Sequence, residues 1–295
     1  MVVSTDQVGG GTPAETIAFQ GEAGANSHMA CREAFPDLAP LACRTFEDAL
    51  NAITEGRARL GMIPIENSVA GRVADIHHLL PDSGLHIVGE HFLRIHHQLL
   101  GLPGSSLEGL KRVRSHIMAL DQCRNIASDL GLQRVVTADT AGAAREVAEA
   151  GDAAEAAIAS SLAAEIYGLD ILKADIEDED HNTTRFIIMA RSADKLPRDE
   201  GAGLITSLIF RVKNVPAALY KALGGFATNG INMTKLESYQ LDGRFQATQF
   251  YAEVDGDPQD DALKGALEEL DYYTDEVRVL GTYPAHSYRL EQPGG

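Results

Sequence analysis

Two patterns of apolar and polar residues alternate over the first two thirds of the chain. Short apolar runs, as in buried strands, are separated by segments in which apolar residues recur every three or four positions, as on one face of a helix. The predicted strands are 16–20, 60–65, 86–93, 134–138, 156–160 and 185–190. Strands that alternate with helices predict an α/β domain with a mostly parallel sheet.

The segments between these strands carry helix signals. Thr45 and Asp48 have the spacing of a capping box, apolar residues then follow at i, i+3, i+4 and i+7, and Gly56 ends the pattern. The alanine-rich segment 141–150 also predicts a packed helix.

The rhythm changes after 191–203, a segment whose Gly, Pro and charged residues predict a domain linker. The elements predicted beyond it are strand 206–214, helix 216–228, strand 231–241, strand 244–256, helix 259–270 and strand 276–283. Asp242-Gly243 predicts a hairpin turn between the two middle strands. This βαββαβ order predicts a ferredoxin-like sandwich.

Composition narrows the class of partner. The 295 residues favour two domains, and 43 acidic against 25 basic residues give a net charge of −18. That charge argues against nucleic acid or an anionic membrane surface as a partner, although a local pocket can still bind a small anion. Three widely spaced cysteines predict reduced thiols in a cytoplasmic protein, and no long apolar segment predicts a membrane span.

Four polar loops lie at the ends of predicted strands, namely 20–30, 63–71, 113–123 and 181–186. Ligands of α/β sheets bind at such ends, so the four loops predict one shared cleft. The glycines of the first loop allow backbone amides to approach an anion, but its spacing is neither a dinucleotide fingerprint nor a P-loop. Each loop also fits a structural role, such as a helix cap at Asn67-Ser68.

Several other features favour structural roles. The pairs His77-His78 and His96-His97 are adjacent, so their side chains do not share a face, and neither pair has metal-ligand spacing. The acidic segment 175–182 lacks the glycine and terminal glutamate of a calcium loop. There is no G-x-S-x-G elbow, and we predict no metal site.

Together, the four loops resemble the prephenate dehydratase family. The matching pieces are "FQGEAGANSHMA", "PIENSVAG", "SHIMALDQC" and "NTTRF", in the family's order and spacing. After the linker, "NVPAALYKALGGFATNGINMTKLES" resembles the amino-acid-binding ACT module that these enzymes carry. The resemblance covers about residues 15–285.

The resemblance implies a two-lobed catalytic domain like a type 2 periplasmic binding protein, followed by a ferredoxin-like ACT domain. The expected organisation is a disordered leader 1–14, a catalytic domain 15–192, a linker 193–203, an ACT domain 204–286 and a tail 287–295. The implied enzyme is a monofunctional carbon-oxygen lyase that converts prephenate to phenylpyruvate in phenylalanine synthesis. It implies no metal or organic cofactor.

The resemblance also assigns roles at the cleft. Thr184 is expected to hydrogen-bond the departing hydroxyl or to pass it a proton. Arg185 has a charged fork suited to a carboxylate, and the alternative is that its side chain points away along the strand. The expected catalytic residues are Thr184, Asn67 and Gln122. The expected substrate-binding residues are Ser27, Asn26, Glu66, Ser68, Ser115, His116, Thr183, Arg185 and Phe186.

The implied effector is L-phenylalanine, bound where the loop 214–219 meets the strand start 231–238 of a partner subunit. The residues expected there are Asn214, Ala217, Ala218, Leu219, Asn232, Met233, Glu237 and Ser238. Paired ACT modules imply a homodimer or homotetramer. The alternative is that these residues only pack a ferredoxin-like dimer.

Three departures from the family pattern leave rival functions open. The chain has "GANS" for "GTYS", "SHIMALDQC" for "SHPQALAQC" and "ESYQ" for "ESRP", so Ala25-Asn26, Ile117-Met118 and Tyr239-Gln240 are unusual. The first two bear on the choice between prephenate and arogenate, and the third on the strength of phenylalanine binding. The other rival, a non-catalytic amino-acid sensor, has no need of Thr184.

Overall fold

The computed structural model describes residues 12–193, 203–240 and 247–290, with the side chains of 247 and 248 left aside. The chain divides into two compact units. The first takes in the chain up to Ile76 together with His91–Phe186, and the second takes in His77–Glu90 and the chain from Ile187 onward. No helix of these described ranges is both long and apolar enough to cross a membrane.

The α/β part of the chain alternates strands and helices as predicted. Its strands are β1 (Thr16–Gln20), β2 (Ala39–Cys43), β3 (Leu60–Asn67), β4 (Gly71–Arg72), β5 (His86–Arg94), β6 (Gln98–Gly101), β7 (Arg112–Ser115), β8 (Gln133–Val136), β9 (Glu155–Ala159), β10 (Asp170–Lys173) and β11 (Thr183–Ala190). Its helices are α1 (Asn26–Ala34), α2 (Phe46–Thr54), α3 (Ala74–Leu79), α4 (Ile117–Gln122), α5 (Arg124–Asp129), α6 (Thr140–Ala150) and α7 (Ser161–Tyr167). The capping box at Thr45 and Asp48 is confirmed.

These strands form two mixed sheets rather than the mostly parallel sheet that the alternation predicts. One has the order β2-β1-β3-β11-β5 with β4 beside β3, and the other has the order β10-β6-β9-β7-β8. The pairs of β1 with β2 and β3, and of β7 with β8 and β9, are parallel, whereas β6 pairs antiparallel with both β9 and β10. The predicted strands do not include β2, β4, β6, β7 and β10. Four of these have only two to four residues, and β2 contains Pro40, so none gives a distinct strand pattern in the sequence.

The chain after 203 forms the predicted βαββαβ sandwich. Its elements are β12 (Leu204–Val212), α8 (Ala218–Thr228), β13 (Met233–Gln240), β14 (Ala247–Asp255), α9 (Asp261–Tyr272) and β15 (Thr274–Pro284). The antiparallel sheet has the order β13-β14-β12-β15, and both helices pack on one of its faces through Phe210, Phe250 and Leu263. The predicted turn at Asp242-Gly243 lies outside the described residues.

A buried charge cluster lies on the opposite face of this sheet. Arg289, from a 3-10 turn at Ser287–Leu290, donates to both carboxylate oxygens of Glu90 at 2.7 and 2.8 Å and to Glu253 at 2.9 Å. Both glutamate side chains are fully buried. Tyr251 also donates to Glu253 at 2.6 Å, so one guanidinium holds two carboxylates that are shielded from water.

We predict that Arg289→Met lowers the free energy of unfolding by about 3–5 kcal/mol, because it leaves two buried carboxylates without their cation. Arg32→Met is the matched control, since Arg32 pairs with Glu165 on the surface and its loss should cost about 0–1 kcal/mol. Urea denaturation of the full chain measures both. Equal losses in the two variants would contradict the assignment.

Candidate active site

Asn67, at the end of β3, has an orientation that the backbone fixes. Its side-chain oxygen accepts hydrogen bonds from the amides of Val69 and Ala70 at 3.0 and 2.7 Å. Backbone N–H groups only donate, so the Asn67 amide nitrogen must face the other way. There it donates to Thr184 Oγ1 at 2.9 Å and to Asn182 Oδ1 at 2.7 Å.

The orientation of Asn67 also fixes which atoms of Asn182, Gln122 and His97 donate and accept. Because Asn182 accepts through Oδ1, its nitrogen is the atom that donates to Gln122 Oε1, at 3.0 Å. His97 Nε2 lies 2.8 Å from the same oxygen, which only accepts, so His97 carries its proton on Nε2. Burial lowers the pKa of His97, which keeps the imidazole neutral near pH 7. The network is therefore uncharged.

Thr184 is the end of this network. Its hydroxyl oxygen accepts from Asn67, and within the described part of the chain its proton has no acceptor. Accepting one hydrogen bond makes an O–H group a better donor of the next. The geometry therefore leaves Thr184 ready to donate to an oxygen of a bound ligand.

Strand alternation separates three predicted site residues, Glu66, Thr183 and Arg185, from Thr184. Successive side chains of a strand point to opposite faces, so Glu66 and Arg185 lie on the face away from Asn67 and Thr184. Arg185 Nη1 donates to Glu66 at 2.8 Å, and the arginine side chain is 4% exposed. The fork that sequence analysis offered to a carboxylate is thus engaged by Glu66 in this structure.

Four more predicted residues hold the framework of the site. Ser68 donates to the His181 carbonyl at 2.6 Å and accepts from the Thr183 amide at 2.9 Å, which joins β3 to the start of β11. Ser115 is fully buried and donates to the Ile158 carbonyl at 2.6 Å. His116 caps α4 by accepting from the Met118 amide. Phe186 is buried two residues after Thr184.

The first loop bridges the two sheets of the unit. Glu22 pairs with Arg145 on α6 at 2.9 and 3.2 Å, and the hydroxyl of Tyr167 donates to the Ala23 carbonyl at 2.9 Å. Asn26 begins α1, and Ser27, an expected substrate-binding residue, is buried inside the first turn. Ala25 is the N-cap residue of α1, and its methyl side chain cannot accept a hydrogen bond from the helix.

Two members of the network were missed by sequence analysis. Asn182 lies in the loop 181–186, where the predicted site residues are its threonines, Arg185 and Phe186. His97 was set aside because adjacent histidines do not share a face, which is a sound argument against a metal site but not against a hydrogen bond. Its neighbour His96 points elsewhere, to Glu177 at 2.9 Å and Asp175 at 3.3 Å.

That trio is where donor atoms of metal-ligand type come together in the described residues. The hydrogen bond between His96 and Glu177, and a second from the His97 amide to Glu177 at 2.9 Å, account for the arrangement without an ion. No other feature of the trio points to a metal.

The residues expected at the effector site lie at the start of α8 and of β13. Ala217 has a φ of +62°, which a non-glycine residue rarely adopts, and it precedes Ala218 at the start of the helix. Asn232 donates to Asp255 at 2.9 Å. The remaining members are placed as follows: Leu219 and Met233 pack against the core of the sandwich, Glu237 lies 3.7 Å from Lys235, and Asn214 and Ser238 are exposed.

Comparison with known proteins shows the family to which the chain belongs. The family model for prephenate dehydratase matches residues 17–194, more than half of the chain. The chain belongs to the prephenate dehydratase family. Members of the family are hydro-lyases, and the two-lobed α/β part with an ACT domain is the family fold.

Three relatives illustrate the range of the family. A bifunctional N-acyl-homoserine lactone acylase/prephenate dehydratase of Komagataeibacter europaeus is 53% identical over 92% of this chain and 97% of that protein. Arogenate dehydratase/prephenate dehydratase 1 of Arabidopsis thaliana is 39% identical over 91% of this chain and 71% of that one. Prephenate dehydratase of Arthrobacter aurescens, solved in complex with L-Phe, is 31% identical, with a TM-score of 0.83 over 95% of this chain and 92% of that one.

We predict that Gly24→Ala displaces the first loop from α7. Gly24 has a φ of +90°, and a Cβ there would lie 2.8 Å from the Ala163 Cα, so the change adds a backbone clash to conformational strain. Gly104→Ala is the matched control, because its φ is +85° but nothing lies within 4 Å of an added Cβ. The control should lose about 1–2 kcal/mol in stability, and Gly24→Ala should lose more.

Thermal denaturation gives the stability of the two variants, and phenylpyruvate formation from prephenate gives their turnover. Gly24→Ala should also reduce turnover, since the loop joins both sides of the cleft. Equal stability and equal turnover in the two variants would show that the close approach of Gly24 to Ala163 has no consequence.

Proposed function

We propose that this member of the family is a cytoplasmic prephenate dehydratase that L-phenylalanine inhibits through the ACT domain. The observation that carries the catalytic half is the donor-ready hydroxyl of Thr184 at the end of an uncharged hydrogen-bond network. The three cysteines are free and buried, in keeping with a reducing compartment.

The reaction needs two bonds to break together. The ring hydroxyl leaves, and the electrons of the bond to the ring carboxylate move into the ring as CO2 departs, so that an aromatic ring forms. The departing hydroxide takes a proton and becomes water. Thr184 donates a hydrogen bond to this oxygen as negative charge develops there, and Asn67 holds the threonine in position.

A threonine hydroxyl is a very weak acid, so the net proton comes from solvent and Thr184 contributes orientation and charge stabilisation. A neutral network suits this role. A carboxylate in place of Gln122 or Asn182 would oppose the negative charge of the leaving oxygen. The neutral His97 completes the network by donating to the Gln122 oxygen that also accepts from Asn182.

We expect Thr184→Ala to lower kcat by about 10²–10⁴-fold and leave the fold intact, because only the stabilising hydroxyl is lost. Thr184→Ser keeps the hydroxyl and should retain a substantial part of the rate. Thr54→Ala is the matched control, since Thr54 is an exposed residue of α2 whose hydroxyl donates to the Leu50 carbonyl, away from the network. Phenylpyruvate formation from prephenate is the assay, and a near-normal kcat for Thr184→Ala would refute the role and return the sensor to consideration.

The regulatory half of the proposal rests on the ACT unit and on the relative that was solved in complex with L-Phe. We infer that phenylalanine binds between paired ACT units, at the loop 214–219 and the strand start 231–238, in a homodimer or homotetramer. Ala217 adopts a left-handed conformation at the start of α8, and strain of this kind is retained where surrounding structure or function requires it.

One assay separates the substrates and tests regulation. Purified protein is given prephenate or arogenate, each with and without phenylalanine. We expect faster turnover of prephenate and its suppression by phenylalanine, as the effector favours a less productive state. Faster turnover of arogenate would favour arogenate dehydratase, one of the two activities in the name of the Arabidopsis relative. Turnover that phenylalanine does not change would refute only the proposed inhibition.

A second candidate activity is hydrolysis of N-acyl-homoserine lactones, because the Komagataeibacter relative that carries this name matches almost end to end. Burial raises the pKa of the Cys31 and Cys123 thiols well above the ordinary value, so neither is a ready nucleophile. Incubation of an N-acyl-homoserine lactone with wild type and Thr184→Ala tests whether the chain has this activity and whether it uses the same cleft.

A further inference from the structure

A row of polar side chains crosses all four strands of the ACT sheet. The strand register pairs Tyr239 with Gln249, Gln249 with Arg211, and Arg211 with Glu276. Alternation along each strand places this row on the face away from α8 and α9. A complete polar row is unusual for a sheet face that other residues cover, and residues 77–90 of the same unit lie against this face.

These covering residues enclose a cavity above the row. Its volume is about 200 Å³, and its lining includes His77, His78, Pro81 and Asp82 together with the polar row and Arg278. The Tyr239 ring centroid lies 5.7 Å from that of His77 and 6.2 Å from that of His78. The side chains of Arg211 and Arg278 are 41% and 48% exposed, so the cavity opens to solvent beside them.

The cavity presents both signs of charge. Glu276 pairs with Arg211 at 2.7 Å and with Arg278 at 3.1 Å, and Arg278 also donates to the Pro81 carbonyl. With Asp82, the lining holds two guanidinium groups and two carboxylates. A simple anion therefore meets no net positive charge, whereas a ligand with both charges can engage each sign separately.

Size sets a second limit on the ligand. Pockets for drug-sized molecules have volumes of about 300–1,000 Å³, so this cavity suits a smaller molecule. An aromatic wall at Tyr239 and His78 offers contact area for a side chain, and the Gln249 amide offers a hydrogen-bond partner for its polar end.

We propose that this cavity binds a free α-amino acid in its zwitterionic form. The carboxylate lies between Arg211 and Arg278, the ammonium group faces Glu276 and Asp82, and the side chain packs against Tyr239. The start of α8, which belongs to the proposed phenylalanine site, lies on the other face of the sheet. Tyr239 directly follows the strand start 231–238 of that site, so variants of residues that only one site uses are needed to separate the two.

The test uses L-tyrosine and L-glutamine as probes, titrated by calorimetry into the purified full chain. Tyramine and 4-hydroxyphenylpropionate are the matched ligands, because each keeps the ring of tyrosine and lacks one of its two charges. We expect at least one of the two amino acids to bind, and the single-charge ligands to bind at least about tenfold more weakly than tyrosine.

Variants place the binding at the cavity. Arg278→Gln and Arg211→Gln should each weaken amino-acid binding about tenfold or more. Arg57→Gln is the control, because Arg57 forms an exposed pair with Glu55 in the first unit, and Asn232→Ala is the variant of the proposed phenylalanine site. Both should leave this binding unchanged, and a circular dichroism spectrum checks that each variant is folded.

Three results would overturn the proposal. The first is no binding of either amino acid up to about 10 mM. The second is binding of 4-hydroxyphenylpropionate as tight as that of tyrosine, which would make this an anion site. The third is binding that survives both arginine changes but is lost in Asn232→Ala, which would place the amino acid at the proposed phenylalanine site.

Discussion

Two backbone amides determine the direction of the hydrogen-bond network that ends at Thr184. The N–H groups of Val69 and Ala70 fix which end of the Asn67 side chain is the oxygen, and every later donor and acceptor follows from that choice. Side-chain amides alone can be flipped at little cost, so without these two bonds the direction of the network would be undetermined. As a result, the Thr184 hydroxyl accepts a hydrogen bond from Asn67 and can donate its own proton to a ligand.

The alternation of strand side chains explains why neighbours in one motif have different roles. In "TRF", Thr184 belongs to the network, whereas Arg185 is buried against Glu66 on the other face. The two faces are nevertheless coupled, because Glu66 and Asn67 are also successive residues of β3. The Glu66–Arg185 ion pair on one face and the Asn67–Thr184 hydrogen bond on the other therefore fix the relative position of β3 and β11.

The sequence predicts elements better than it predicts contacts. Thr16–Gln20 appears as predicted, and the βαββαβ order is present, because apolar period and turn residues are local properties of the chain. Strands such as β6 and β10 escaped prediction because four residues are too few to give a distinct apolar run. Asn182 and His97 escaped because no local pattern records a long-range hydrogen bond. Asn182 bonds Asn67, 115 positions away, and His97 bonds Gln122, 25 positions away. Ser115 was placed correctly at a strand end, but its bond to the Ile158 carbonyl depends on a strand that is distant in the chain.

The ACT sheet shows how one layer of strands can serve two purposes. Its helix-covered face is apolar, as a sandwich requires, and packs through residues such as Leu208, Phe210 and Phe250. Its other face carries Arg211, Tyr251 and Glu253 at the alternate positions, so its polar groups must be satisfied by what covers them. Arg289 does this at one end of the face by neutralising Glu253. At the other end the polar row lies beside an open cavity, and this is the place where the fold leaves charged groups within reach of a small molecule.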